Sequence, residues 1–220
     1  MPNDSCTCCN TLAEQTPNGA QQHTDTENVI ETAAPLDSSL PAELQAALGR
    51  FLGDDDDPVS TLGEWAAAVR RRTGGGAIAI DELCHTETET GHWGELDGDR
   101  YHFACFYDAV ILAAIADQPV EIRTESPAGT VITAHADVGT GLTVSPPDAV
   151  FSFGIDETVV ASIGEAPTLE DGYVAICPYV KAFPDPDSYE RWAGTVTAAT
   201  VAMPLAGATE LAAALVTDLP

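Results

Sequence analysis

The chain has 220 residues, of which 35 are acidic and 8 are Lys or Arg, so its formal net charge is −27. A hydrophobic content of 45% is enough for the core of one domain of ordinary size with a small appendage. Nucleic-acid binding is disfavoured, because the only basic cluster consists of Arg70, Arg71 and Arg72. Since the acidic residues are spread along the whole chain, we predict a halophilic protein screened by salt, rather than a local acidic surface for a partner.

The sequence shows neither an apolar signal stretch at its start nor a run of about 18 apolar residues. We therefore expect a soluble protein of the cytoplasm that does not associate with a membrane. Its six cysteines stay reduced in that compartment, which favours metal binding or catalysis over disulfide formation.

Residues 1–38 are polar and show little periodicity, which predicts a disordered arm. The arm carries three thiols within four residues, Cys6, Cys8 and Cys9. Thiols this close cannot by themselves form a tetrahedral zinc site, but they suit a soft metal ion with two or three ligands. The alternative is that these cysteines have no fixed role.

A short helical region is expected over residues 39–95. A first helix ends near residue 52, and a second begins at Ser60 or Thr61 and ends at Arg72. The three arginines then lie in the last turn of the second helix, where positive charge suits the helix dipole.

An acidic, loop-like stretch is expected over residues 84–99, and it carries a loose set of metal-binding side chains. The set is Cys84, His85, His92 and His102, from which a Cys and two His could bind zinc, although the spacing fits no standard zinc finger. His102 is expected near the pocket of Cys105.

The remainder, residues 96–220, is predicted to be α+β, with a mixed or antiparallel sheet flanked by helices. It begins with an apolar helix over about residues 105–116. A Ser-Pro-Ala-Gly turn at residues 126–129 joins the next two strands as a hairpin. The expected strands are residues 120–124, 130–136, 141–144, 149–153, 158–163, 173–177 and 196–203, and the later helices are residues 188–194 and 208–215.

Three residues of this core are candidates for a shared site. Cys105 and Asp108 are three residues apart on the expected apolar helix, so they share one face. A carboxylate in such a helix costs free energy unless it has a partner or a function, and burial raises its pKa. Cys177, expected at a strand end, adds a second thiol. Each cysteine alone is typical of a protein core, but two thiols beside an acid suit chemistry on a thiophilic metal such as mercury.

At these residues the chain resembles the organomercurial (alkylmercury) lyase family. That family has a Cys-x-x-Asp motif at the start of a core helix, matched here by Cys105, Phe106, Tyr107 and Asp108. Its second cysteine precedes an x-x-Val-x-x-Phe segment and a later Trp, which correspond here to Cys177, Val180, Phe183 and Trp192. The resemblance covers roughly residues 96–215. It departs from the family at Ala104, where a Trp is common.

The resemblance implies a lyase that cleaves the carbon–mercury bond by protonolysis, in mercury detoxification. It implies that Cys105, Asp108 and Cys177 are catalytic, that the two thiols bind the Hg(II) product, and that Asp108 passes a proton to the leaving carbon. No cofactor is required. The implied partners are an organomercurial substrate and an acceptor for Hg(II), which is either a thiol, such as those of the cysteine arm, or mercuric reductase.

The same thiols also suit other classes of protein. One is a mercury or copper binding or delivery protein without lyase activity, and another is a family member that has lost its activity. A regulatory thiol sensor is disfavoured because no basic DNA-reading surface is present. Release of methane or benzene from an organomercurial distinguishes the lyase from a carrier.

Overall fold

The computed structural model describes residues 28–31, 35–53, 59–72, 79–116, 118–137, 141–156, 158 and 167–216. Cys6, Cys8 and Cys9 lie outside these residues, as does the strand expected at 158–163 apart from its first residue. The metal-binding role of these cysteines therefore stays a prediction. The end of the expected disordered arm is ordered, because the N–H of Ile30 donates to the carbonyl of Ala202 at 2.7 Å and Pro35–Asp37 form a short 3-10 helix.

The two N-terminal helices form where the sequence predicts them. They are α1 (Ala42–Leu52) and α2 (Leu62–Arg72). α1 ends at Gly53, whose φ of 66° provides a left-handed cap that glycine adopts without strain. At the start of α2, the Thr61 hydroxyl accepts the N–H of Glu64, and the Glu64 carboxylate accepts the N–H of Thr61. This reciprocal cap confirms the predicted start of the second helix.

Five antiparallel strands form the first sheet, in the order β2-β1-β3-β4-β5. Their bounds are β1 (Trp93–Leu96), β2 (Asp99–His102), β3 (Val120–Glu125), β4 (Val131–Asp137) and β5 (Gly141–Ser145). β3 and β4 form the predicted hairpin, closed by a hydrogen bond of 2.8 Å from the N–H of Ser126 to the carbonyl of Thr130.

The prediction of an acidic loop over residues 84–99 is wrong in its last part, where β1 and β2 form a hairpin. Its turn is Asp97-Gly98, with φ angles of 54° and 88°, as the tight two-residue hairpin turn requires. The Asp-Gly pair is a hairpin signal present in the sequence, although the charges around it favour a loop. The boundary expected between residues 95 and 96 falls inside β1.

A second antiparallel sheet has three strands in the order β7-β6-β8. They are β6 (Val150–Asp156), β7 (Ala182–Phe183) and β8 (Ala198–Pro204). The central strand, β6, is buried along almost its whole length, so this sheet lies within the core. β6 and β8 confirm the strands expected near residues 150 and 200.

Four further helices complete the described fold: α3 (Tyr107–Ala116), α4 (Leu169–Ile176), α5 (Pro186–Ala193) and α6 (Ala208–Val216). The prediction of a buried strand over residues 173–177 is wrong, because most of this segment belongs to α4. A capping box between Thr168 and Asp171 starts the helix. Periodicity alone cannot separate a strand from a helix in so short an apolar run, and here the cap favours the helix.

A continuous hydrophobic core joins the N-terminal helices to the rest of the fold. It includes Leu48 of α1, Trp65 of α2, Leu112 of α3 and Leu211 of α6. Antiparallel sheets flanked by helices confirm the predicted α+β class, whereas the division of the chain into separate units stays a prediction. None of the helices within the described residues is long and apolar enough to span a bilayer.

Candidate active site

Cys105 lies in the turn that leads into α3, two residues before the first helical residue. It is only 3% exposed, and its thiol donates to the carbonyl of Val180 at 3.8 Å. The N–H of Asp108 donates to the carbonyl of Cys105 at 3.4 Å, so a single turn of backbone joins the two residues. The helix begins later than predicted, so Cys105 lies just before it rather than on one helical face with Asp108.

Asp108 is a buried carboxyl in the first turn of α3, with 3% exposure. Its Oδ1 atom accepts the N–H of Cys84 at 3.3 Å. Burial raises the pKa of Asp108 from 3.8 to about 7, while hydrogen bonds from the backbone of Cys84 and of Asp108 itself act in the opposite direction. Near neutral pH this carboxyl both accepts and releases a proton readily.

Cys177 follows the last residue of α4, and its N–H donates to the carbonyl of Tyr173. A hydrogen bond with the Cys105 side chain is the largest cause that raises the pKa of the Cys177 thiol. Burial and the nearby Cys105, Asp108 and Cys84 raise it further. The structure therefore brings the two distant thiols and the carboxyl together, and Cys177 keeps its proton at neutral pH.

A cavity of about 130 Å³ connects Cys105, Asp108 and Cys177. These three residues supply two thiols and a buried carboxyl, and most of the remaining lining is apolar. The other lining residues are Phe51, Leu52, Trp65, Val69, Tyr107, Ile111, Phe151, Phe153, Pro167, Thr168, Gly172, Tyr173, Ile176, Val180, Leu211 and Leu215. An apolar space with two thiols and one acid in its wall suits a neutral organometallic compound better than a hydrated ion.

The histidines that were considered as zinc ligands are engaged elsewhere. His85 contacts the carbonyl of Ile80, His92 contacts the hydroxyl of Thr124, and His102 accepts the N–H of Thr90. Within the described residues, no cluster of three or more His, Cys, Asp or Glu side chains could hold a metal ion. The zinc hypothesis for Cys84, His85 and His92 therefore has no structural support. His102 is also not among the residues that line the cavity.

Tyr173 is a cavity residue that the sequence reasoning missed. Its hydroxyl donates to the carbonyl of Glu82 at 3.3 Å, and its pKa is raised by burial and then by Asp108 and Cys177. Tyr173 precedes Cys177 by four residues, which on a helix is the same face. Because residues 173–177 were predicted to be a strand, the sequence did not indicate that Tyr173 and Cys177 lie on one helical face. The second missed group, the N–H of Cys84, is a backbone donor and has no signature in the sequence.

Known proteins resemble this chain in sequence and in fold. The sequence model of the alkylmercury lyase family matches residues 85–217. No curated protein matches the chain. Among solved structures, the fold is similar to that of the mercury-bound form of MerB2, with a TM-score of 0.46 and 12% sequence identity over 80% of this chain and 98% of that chain.

Proposed function

This chain belongs to the alkylmercury lyase family, and on that premise we propose that Cys105, Cys177 and Asp108 carry out its cleavage of the carbon–mercury bond. The overall reaction converts an organomercurial to a hydrocarbon and Hg(II). The observation that carries the residue assignment is that Cys105, Cys177 and Asp108 all line one cavity.

The first step is capture of mercury by a thiolate. Thiolates bind soft Hg(II) far more strongly than oxygen ligands do. Binding of the metal to a thiol lowers the pKa of that thiol, so its proton leaves as the sulfur–mercury bond forms. Asp108, whose pKa is about 7, is partly ionised at neutral pH and accepts this proton. The new sulfur–mercury bond displaces the outer ligand of the organomercurial, which leaves with its electron pair.

The second step transfers a proton to carbon. The second thiol forms another sulfur–mercury bond, which weakens the mercury–carbon bond by donating electron density to the metal. Asp108, now protonated, gives its proton to the carbon as the mercury–carbon bond breaks, and the hydrocarbon leaves. The proton of the other thiol leaves with the displaced ligand or goes to solvent. Hg(II) remains on Cys105 and Cys177, and either thiol can attack first.

The scheme uses no cofactor, because the thiols supply the ligands and the carboxyl supplies the proton. The product Hg(II) then passes by thiol exchange to an outside acceptor. We propose that this acceptor is the arm with Cys6, Cys8 and Cys9, or else mercuric reductase. The chain's charge of −27 supports action in a halophile, and the absence of disulfides at Cys84, Cys105 and Cys177 suits a reducing cytoplasm.

Hydrocarbon release tests the proposal directly. Purified protein is mixed with methylmercury or phenylmercury and an excess of a small thiol, and methane or benzene is measured by gas chromatography. The lyase releases one hydrocarbon for each Hg(II) formed. A mercury or copper delivery protein binds the compound intact, so mercury uptake without hydrocarbon would refute the proposed reaction.

A further inference from the structure

One side of the cavity is built by the two N-terminal helices, which lie outside the stretch matched by the family model at residues 85–217. Four apolar side chains form this side, and we call them the N-terminal wall: Phe51 and Leu52 of α1, and Trp65 and Val69 of α2. The same cavity holds Cys105, Cys177 and Asp108. The reactive groups therefore come from the family core, while part of the enclosure comes from elsewhere in the chain.

The two aromatic rings of the N-terminal wall, Phe51 and Trp65, are closely packed. The Trp65 ring lies 6.1 Å from the Phe51 ring and 5.9 Å from the Phe153 ring of β6, measured between centroids. Phe51, Trp65 and Phe153 are each at most 5% exposed. Rings packed in this way hold a defined shape, so the wall limits the size of any group that enters the cavity.

The geometry of mercury directs the organic group toward the apolar part of the cavity. Mercury(II) with two ligands is linear, so the carbon of an organomercurial points away from the sulfur that captures the metal. The space of about 130 Å³ is close to that of an apolar cavity of about 150 Å³ that takes up benzene. One aromatic ring or a short alkyl chain is the size of group that this cavity encloses.

We propose that the N-terminal wall contacts the organic group of the substrate and determines which organomercurials are cleaved, with Trp65 and Val69 as specificity-determining residues. This inference rests on the proposed function of the cavity. It assigns a role in substrate choice to helices that supply none of the proposed reacting groups. Smaller side chains in the N-terminal wall would remove contacts with a bound ring, and larger side chains would leave no room for the ring.

Two variants change the size of the cavity in opposite directions. Val69→Phe adds a ring beside the cavity and narrows it, whereas Trp65→Phe removes part of the indole and widens it. The matched control is Trp192→Phe, because Trp192 packs with Phe183 and Tyr189 in a separate hydrophobic cluster and does not line the cavity. Thermal unfolding of all three variants identifies any that fail to fold.

The measurement is the ratio of kcat/KM for phenylmercury to kcat/KM for methylmercury. We expect Val69→Phe to lower this ratio at least tenfold, since a hydrophobic pocket discriminates about 10- to 200-fold for a difference of one methylene. We expect Trp65→Phe to raise kcat/KM for a larger aryl compound, naphthylmercury, relative to phenylmercury. The Trp192→Phe control should leave both ratios within about twofold of the wild-type values.

The outcomes separate this inference from the proposed function. If the wild-type protein cleaves both compounds and the ratios stay within about twofold in both wall variants, the wall does not select the substrate. Equal losses on both compounds in Val69→Phe would also overturn the inference, because the wall would then act only through the fold. If the wild-type protein releases no hydrocarbon from either compound, the proposed function itself fails.

Discussion

The backbone N–H of Cys84 donates a hydrogen bond to the Oδ1 atom of Asp108 over 3.3 Å. The carbonyl of Cys84 accepts the N–H of Ala104, the residue before Cys105, at 3.0 Å. A single residue therefore holds both the carboxyl and the turn that carries the first thiol. The N–H favours the ionised carboxylate and so opposes the effect of burial, which leaves the pKa of Asp108 near neutrality.

Replacement of Asp108 by Asn should separate mercury binding from bond cleavage. The amide oxygen can still accept the N–H of Cys84, but the side chain can no longer carry the proton. We expect hydrocarbon release to fall by roughly 10²- to 10⁴-fold, which is the usual contribution of a general acid. Calorimetric titration should show Hg(II) binding close to that of the wild type. If binding is lost to the same degree as cleavage, Asp108 has a structural role instead.

The two thiols should both be essential. Cys105→Ser or Cys177→Ser removes one soft ligand and leaves a hydroxyl that binds mercury poorly, so methane release should become undetectable above background. Cys84→Ser is the matched control, because the hydrogen bond from Cys84 to Asp108 is made by the backbone N–H, which serine keeps. We expect this control to retain turnover within a few-fold of the wild type. Near-normal turnover in either Cys105→Ser or Cys177→Ser would refute the two-thiol scheme.

The raised pKa of Asp108 predicts a specific dependence of stability on pH. Between its ordinary value of 3.8 and the folded value of about 7, the folded state holds more protons than the unfolded state. The contribution of this group to stability is therefore present at low pH and is lost as the pH rises through about 7. The Asp108→Asn variant has no titrating group at this position, so its stability lacks this dependence on pH.

Denaturant unfolding of both proteins measures this effect. From about pH 5 to about pH 8, the wild type should lose about 3 kcal/mol of stability relative to Asp108→Asn. Because the two proteins share all other acidic groups, the difference between their free energies of unfolding reports the titration of Asp108 alone. A difference that stays constant over this range would contradict the raised pKa.

Tyr173→Phe should affect catalysis more than stability. The variant loses only the hydrogen bond to the carbonyl of Glu82, which is partly exposed to solvent and is worth about 1 kcal/mol. That bond ties α4, which Cys177 directly follows, to the segment that positions Asp108. We expect kcat/KM to fall about tenfold through misplacement of the Cys177 thiol. An unchanged kcat/KM with reduced stability would show that the hydroxyl is purely structural.

The net charge of −27 predicts that salt stabilises the fold. Screening of the repulsion among acidic groups should raise the unfolding temperature by about 10 °C between about 0.1 M and about 2 M KCl, or roughly 3 kcal/mol. Sucrose is the control, since it stabilises proteins by exclusion and does not screen charge. An unfolding temperature that does not change with KCl, or that rises equally in sucrose, would contradict the prediction of a halophilic protein.

The elements that the sequence predicted well are those with local signals. The Thr61 cap, the Ser126–Gly129 turn and the alternating residues of β3 and β4 each involve neighbours along the chain, so their conformations follow from short-range preferences. The Asp97-Gly98 turn carries a signal of the same kind that the prediction overlooked. In contrast, residues 173–177 are apolar enough for either a strand or a helix.

By itself, the sequence determined the acidic surface, the α+β class and the three candidate residues, because charge, hydrophobic periodicity and the Cys-x-x-Asp motif are properties of residues close together in the chain. Only the tertiary structure decided that Cys177 and Cys105 line one cavity, that the N–H of Cys84 reaches Asp108, and that α1 and α2 supply part of the cavity wall. The hydrogen bond between Cys84 and Asp108 joins residues 24 positions apart, and the one between Cys105 and Val180 joins residues 75 positions apart. Their formation depends on how whole helices and sheets pack, and no local preference encodes that arrangement.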